Sequence, residues 1–520
     1  MFSAWAALGL QALANPWSQS STQQTCDSFV LPAFENFTIV SLETHLVTNY
    51  SLVPNVSFCN FTAILNHPGT NDTVITEIWL PPLQKWNGRF LATGGGGLAA
   101  GYEWSMAAYI YLGYATGFTD GGLTNLNIID PQLGTWVLND DDTLNWGLLK
   151  NFAYRSLHDM TVLGKAAIYS FYGEASQYSY YVGCSTGGRM GYFAAQHFPN
   201  DYDGILAMSP AINTPQLGPA DFWPMVAMEN IDAPPQCVFD VYLKQMIADC
   251  DSLDGAMDGL ISRPEICNFN PRKLIGRTIK CSVTGSNVEI STEYADVVSK
   301  IIEGARTTDG QFLWFGLPIG ASFSGLANTT VVDGRVTPVP FTSAQAWIEY
   351  FIRRNSSFDM AEEATSSFIQ FEQDFRKSVE LYTPMFGTEK PNLSPFHDAG
   401  GKLLTWHGMA DPVITHNGTT LYWDRVQQQF EGSHLINDFY RLFLAPGVGH
   451  CSGGYGPIPM DPLSALVGWV ENHKAPDTLF AEITVDNINI TRNLCPYPLI
   501  MTYNGLGNVN SADSFTCTSS

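Results

Sequence analysis

The stretch Tyr178 to Asn213, YSYYVGCSTGGRMGYFAAQHFPNDYDGILAMSPAIN, places a strand, a sharp turn and a helix around one serine. Tyr178 to Val182 is short, aromatic and β-branched, which is the signature of a buried strand. Gly183-Cys184-Ser185-Thr186-Gly187 then fits G-x-S-x-G, in which glycines let the chain turn so tightly that the serine is thrown out at the top of a sheet. From Gly188 to Phe198 apolar residues recur at helical spacing, and Pro199 ends the run. Gly204 to Met208 reads as the next strand. Strand, serine turn and helix in this order are the context a nucleophile elbow requires.

Working outward, the chain of 520 residues is long enough for a large core and more than one domain. Charged residues make up only 14%, and the formal net charge is -24. So acidic a chain is repelled by nucleic acid and by anionic membrane, which argues against both as partners. No apolar run reaches the length of a membrane span. Residues 1–18 carry a short apolar segment and a small-x-small site at Ala12-Leu13-Ala14, resembling a secretory signal without a basic flank. Sequons at Asn36, Asn49, Asn55, Asn60, Asn71, Asn328, Asn355, Asn392, Asn417 and Asn489 suggest glycosylation. The 10 cysteines are even in number and lack C-x-x-C metal spacing. A secreted, extracellular, disulfide-bonded glycoprotein is expected, with no sequence signal for its oligomeric state.

Alternating apolar and polar positions in Phe58–Leu65 and Thr73–Leu80 predict an antiparallel start to the sheet. Phe90 to Thr93 is a strand running into Gly94-Gly95-Gly96-Gly97, where a hydrolase of this kind supplies one oxyanion-hole N–H. Tyr109 to Thr119 reads as another strand. Asn145 to Tyr172 predicts one long helix, with Leu148, Phe152, Leu163, Ala166 and Ala167 on its buried face and Arg155, Asp159 and Lys165 toward solvent. Strands alternating with helices predict a mostly parallel sheet covered on both sides.

From about 214 to 395 that alternation is lost, in a segment with Trp223, Trp314, Trp347 and four cysteines. The organisation expected is an α/β-hydrolase catalytic domain built from residues 19–213 and 396–520, with a large inserted lid domain at 214–395. Inside the insert, Asp251, Asp254 and Asp258 flank two glycines in a tight loop, an arrangement suited to a hard cation such as Ca²⁺, with carbonyls of Ala256 and Leu260 as further oxygens. Pairing of Cys250 with Cys267 would tether this loop. The alternation resumes with Gly401–Trp406, followed by His407 and Asp411, and with Phe439–Ala445, followed by His450 and Cys451. A final helix over Pro462–His473 precedes Cys495 and Cys517, which would tie down the tail.

A serine hydroxyl needs a base within hydrogen-bond reach and a carboxylate to orient that base. Ser185, Asp411 and His450 occur in the order Ser, Asp, His of an α/β-hydrolase: nucleophile, orienting acid and general base. Backbone N–H groups of Thr186 and of Gly96, in the glycine run, are the oxyanion-hole candidates. His407 and His416 lie close to Asp411 and read either as structural histidines or as substrate contacts; His450 is preferred because it alone lies past the last predicted core strand. Cys184 immediately precedes the serine and Cys451 follows the histidine. A bridge between them would hold the two catalytic groups side by side.

These motifs, G-C-S-T-G-G-R at the serine, A-D-P at the acid and G-H-C-S-G-G at the histidine, resemble the fungal tannase and feruloyl esterase family over nearly the whole chain. The resemblance implies a Cys184–Cys451 disulfide, a structural Ca²⁺ in the lid at Asp251, Asp254, Ala256, Asp258 and Leu260, and hydrolysis of phenolic esters. Release of ferulic acid from plant cell-wall polysaccharide is the leading expectation, gallate ester hydrolysis by a tannase the alternative, and an inactive phenolic- or carbohydrate-binding relative the reading from another class. The pairing of Cys26, Cys59, Cys237 and Cys281 is left open by the motifs.

Overall fold

The computed structural model describes residues 26–124, 130–358, 365–430 and 433–519, so the expected secretory signal at 1–18 lies outside the described residues. Nine strands form the main sheet: β1 (Thr38–Tyr50), β2 (Val53–Asn66), β3 (Val74–Leu80), β4 (Arg89–Thr93), β5 (Ala115–Thr119), β6 (Tyr178–Cys184), β7 (Gly204–Met208), β8 (Lys402–Gly408) and β9 (Tyr440–Ala445). Their order is β1-β2-β3-β5-β4-β6-β7-β8-β9. The pairs from β1 to β5 are antiparallel and those from β5 to β9 parallel. The sheet therefore begins as a meander and continues as crossovers, as the change in sequence patterning implies.

The parallel strands are apolar at consecutive positions because both faces are covered. Phe90, Tyr181, Ile205 and Leu403 face one core, joined by Met160 and Leu163 of helix α1 (Ser156–Tyr172) and Met190 of helix α2 (Thr186–His197). Tyr422 and Trp423 of helix α3 (His416–Gln429) complete that core. Leu91, Tyr180, Leu206 and Leu404 face the other, against Leu466 and Trp469 of helix α4 (Pro462–Asn472). Helix α1 comes close to the sheet at Gly164, where a Cβ would stand 2.8 Å from the Phe90 ring.

Two local expectations are corrected. The segment Tyr109–Thr119 is a helical turn, Ala107–Tyr111, then Gly113 at φ 86°, with a strand only from Ala115. The long helix from Asn145 is helical throughout, but Asn151–Arg155 is a π turn between Trp146–Lys150 and α1. Asp159, expected to face solvent, is 1% exposed. His67, just past β2, bridges it: Nε2 lies 2.8 Å from Asp159 and Nδ1 2.6 Å from Asp72. Arg155 pairs with Asp72 at 3.1 Å, and Lys165 donates to the Asp201 carbonyl at 2.6 Å. Long-range partners recruit these charges, which helical periodicity alone assigns to water.

Between β7 and β8 lies the insert, mostly helical. Phe239, Tyr242, Met246, Val297 and Val298 give it a core of its own, cross-linked by Cys237–Cys281 and Cys250–Cys267. A second core, with Trp347, Phe351 and Tyr382, interlocks with Trp136 and Phe152, which precede β6, so insert and sheet domain share a wall. Around α4 the chain forms a three-stranded antiparallel sheet of Ile458–Pro459 before the helix and Leu479–Val485 and Ile488–Leu494 after it, an addition the turn-rich tail did not announce. Disulfides Cys26–Cys59 and Cys495–Cys517 fasten the two ends.

Candidate active site

Ser185 joins β6 directly to α2 with φ 62° and ψ -124°. Its N–H donates to the Met208 carbonyl at 3.0 Å, and its own carbonyl accepts from Arg189 and Ala211, both at 3.0 Å. Three bonds thus hold the residue in a backbone region that side chains rarely adopt, and the surrounding structure supplies the restraint. The flanking glycines are required sterically. A Cβ at Gly183 would stand 2.5 Å from the Gly187 backbone, and one at Gly187 2.8 Å from the Gly95 carbonyl oxygen.

The glycine run after β4 packs onto this turn. The Gly187 N–H donates to the Gly95 carbonyl at 2.9 Å, and the Thr186 hydroxyl to the Gly97 carbonyl at 2.6 Å. Gln132 clamps the run from outside. Its Nε2 donates to the Gly96 carbonyl at 2.9 Å and to the Tyr102 hydroxyl at 2.7 Å, while its Oε1 accepts from Leu98 N–H at 3.0 Å. Among the described residues neither Thr186 N–H nor Gly96 N–H has a protein acceptor. Both residues line the same cavity as Ser185, so the two donors are available there. Sequence reading missed Gln132, because nothing in its neighbourhood marks a glutamine that reaches 36 residues back.

Asp411 follows β8 and is fully buried. Its Oδ1 accepts from the N–H groups of Val413 and Ile414, both at 2.9 Å, and its Oδ2 meets His450 Nδ1 at 2.8 Å. Burial pushes this carboxyl up, but the facing charge of His450 and the bond from His407 outweigh it and hold the group well below the usual carboxylate range. With Nδ1 engaged, His450 presents Nε2 as its free ring nitrogen. His450 shares the cavity with Ser185, although no hydrogen bond joins the two side chains in this structure.

The competing histidines are resolved by their surroundings. His407 lies within β8, buried, with Nδ1 2.9 Å from the Thr419 hydroxyl and Nε2 2.9 Å from the Ile414 carbonyl. It buttresses Asp411 from behind. Burial pushes His416 down to about 3, so it is neutral and inaccessible as a base. Cys184 and Cys451 are bonded, with Cα atoms 5.9 Å apart.

The cavity has a volume of about 730 Å³. Its walls come from both parts of the chain: Ser185, Thr186 and His450 from the sheet end, Phe341, Ser343 and Trp347 from the insert. Arg189, one helical turn past Ser185, is 1% exposed on the cavity wall and donates to the carbonyls of Ala153 and Phe152 at 2.8 and 3.0 Å. That guanidinium is structural, tying α2 to the π turn.

The acidic loop of the insert lies elsewhere. Asp251 Oδ1 accepts from Asp258 and Gly259 N–H at 3.1 and 3.0 Å, Asp254 Oδ1 from Ala256 N–H at 2.9 Å, and Asp258 Oδ1 from Leu260 N–H at 2.9 Å. Asp258 Oδ2 is paired with the buried Arg492. Asp254 Oδ2 is buried without a partner of ordinary hydrogen-bond geometry. Burial first, then repulsion among neighbouring carboxylates, raises Asp251 and Asp254 above their ordinary values. An orphaned oxygen among mutually repelling carboxylates suits a hard cation. Among the described residues no three His, Cys, Asp or Glu side chains converge as a ready-made cluster, so a cation would need carbonyls such as those of Ala256 and Leu260.

A doubly covered, mainly parallel sheet with a serine elbow after one strand and an acid–histidine pair after two later strands is an α/β-hydrolase of the serine type. The family model for tannase and feruloyl esterase matches residues 59–518. A probable feruloyl esterase of Arthroderma benhamiae is 42% identical over 470 residues, spanning 89% of this chain and 86% of its own. Feruloyl esterase B of Aspergillus niger is 30% identical over 502 residues, 92% of this chain and 90% of its own. Among solved structures, the tannin acyl hydrolase of Aspergillus niger superposes with a TM-score of 0.84 at 28% identity, covering 94% of this chain and 93% of that one. Feruloyl esterase B of Aspergillus oryzae does so with a TM-score of 0.77 at 26% identity, covering 94% and 98%. The chain belongs to the tannase and feruloyl esterase family and is a carboxylic ester hydrolase.

Proposed function

We propose that this chain is a secreted serine esterase that hydrolyses hydroxycinnamate esters and releases ferulic acid from plant cell-wall polysaccharide. The observation carrying the reading is the fully buried Asp411 held 2.8 Å from His450 on the same cavity as the strained Ser185. In this reading the Ser185 hydroxyl attacks the ester carbonyl while His450 Nε2 takes its proton. The N–H groups of Thr186 and Gly96 stabilise the oxyanion, and His450 returns the proton to the departing alcohol. Water then repeats the sequence on the acyl-enzyme, freeing the acid. Five disulfides support an oxidising, extracellular setting. Among the described residues no helix is long and apolar enough to cross a membrane.

Ferulate is favoured because the 42% and 30% identical relatives are named feruloyl esterases. A gallate esterase is the second reading, favoured by the higher TM-score of the tannin acyl hydrolase. The ratio of kcat/KM for methyl ferulate to that for methyl gallate separates them. We expect a ratio well above one, and a preference for gallate would replace the first reading with the second.

We further propose that Asp251, Asp254 and Asp258, with carbonyls of Ala256 and Leu260, hold a structural Ca²⁺. Such an ion would neutralise the loop's repulsion and lies outside the cavity of Ser185. A strong chelator should therefore lower the melting temperature by several degrees, with recovery on adding Ca²⁺, while kcat measured well below melting stays within about twofold. Unchanged melting after chelation removes the metal from the loop.

A further inference from the structure

Asp221 stands at the C-terminal end of the helical turn Thr214–Ala220, where the insert leaves the catalytic domain, and it lines the cavity that holds Ser185 and His450. The residue is 9% exposed, and its carboxyl makes no hydrogen bond among the described residues, although its backbone N–H donates to the Leu217 carbonyl at 2.8 Å. A largely buried carboxyl with no hydrogen bond to the protein takes its partner from what occupies the space beside it, and Asp221 faces both this cavity and a small one lined by Leu217, Trp223 and Leu317. Burial, reinforced by the nearby Asp411 charge, raises Asp221 well above the ordinary carboxylate range. That shift favours the protonated form, which has one O–H to donate and one carbonyl oxygen to accept.

The surroundings tell which end of a substrate it meets. Leu217, Gly218, Trp347, Val413 and Ile414 line the same cavity. Gly218 lies flat on Trp347, where a Cβ would stand 2.8 Å from the indole. This apolar, aromatic surround suits a planar ring, and a polymeric alcohol has to remain at the open mouth. Asp221 is the carboxyl on this apolar wall, so the hydroxyl of a ring lying against Trp347 has it as an acidic partner on the same cavity. Resting on the phenolic-ester reading above, we propose that Asp221 recognises the acyl group's ring hydroxyl, acting as the specificity-determining hydrogen-bond partner for hydroxylated over unsubstituted rings.

The experiment compares wild type, Asp221→Asn and Asp221→Leu on methyl p-coumarate and methyl cinnamate, which differ only by the ring hydroxyl. A site built to bond a hydroxyl discriminates strongly against ligands that lack it. Wild type should favour p-coumarate in kcat/KM by about tenfold or more. Asp221→Leu should lose that preference, chiefly through a rise in KM for p-coumarate, with the loss on p-coumarate several-fold larger than any change on cinnamate. Asp221→Asn, which keeps a donor and an acceptor, should retain most of the preference. Equal losses on both esters in Asp221→Leu, or an unchanged preference, overturn the role of Asp221 alone. Wild-type enzyme that hydrolyses neither ester overturns the phenolic reading, and this inference with it.

Discussion

Ser185→Ala should lower kcat on methyl ferulate by a factor on the order of 10⁴ to 10⁶, leaving KM within a few-fold. The argument starts from the backbone. Ser185 sits at φ 62° between strand and helix, its amide bonded to Met208 and its carbonyl to Arg189 and Ala211. Alanine has the same conformational preferences at this point, and the substitution removes only the hydroxyl. The melting temperature should therefore stay within about 2 °C. Without the hydroxyl, His450 has no nucleophile to activate, and only binding and the oxyanion donors remain to assist water. More than about 1% residual kcat in a properly purified variant would place the nucleophile elsewhere.

The second large effect is expected from removing the bridge beside the catalytic groups. Cys184 and Cys451 are 267 residues apart, and each is covalently next to a group that has to meet the other, Ser185 or His450. Ser185 keeps its φ of 62° through its own backbone hydrogen bonds, whereas Cys451, at φ 59° beside His450, has the bridge to hold it in place. The chain-entropy model assigns a loop of this size on the order of 5 kcal/mol, an upper figure that residual structure in the unfolded chain reduces. Misplacement of a reacting pair by 1 Å costs roughly 10²-fold. The double variant Cys184→Ala/Cys451→Ala should thus lose 10- to 100-fold in kcat at temperatures where circular dichroism still shows the native fold, and should melt earlier. Full activity with an intact fold sinks the alignment role and leaves the bridge a purely global staple.

The elbow was legible because every feature that makes it lies within one short stretch, Tyr178 to His197: two glycines whose Cβ atoms would collide, an aromatic strand before and a periodic helix after. The positions of Asp411 and His450 were legible for the same reason, each a short loop beyond an apolar strand. Helix α1 shows where such reading stops. Its periodicity placed Asp159 in water, yet His67 from the end of β2 draws it into the core at 2.8 Å. The insert was recognisable as a break in alternation, but its interlocked aromatic wall with Trp136 and Phe152 was not.

Sequence by itself therefore determined the order and chemistry of the site: an acidic chain, a serine on a strained turn, an acid and a histidine after later strands, and cysteines flanking two of them. Tertiary structure decided which histidine serves the cavity: His407 and His450 both approach Asp411 Oδ2, at 3.3 and 2.8 Å, but His407 is fully buried against Thr419 and Ile414 whereas His450 lines the cavity. It also decided that Gln132 clamps the glycine run and that the largely buried Asp221 carboxyl makes no hydrogen bond among the described residues. The physical reason is the range of the interactions. Turn and strand geometry follow from residues adjacent in the chain, whereas a side chain's partners and its share of water are fixed by crossovers that bring residues tens to hundreds of positions apart into one cavity.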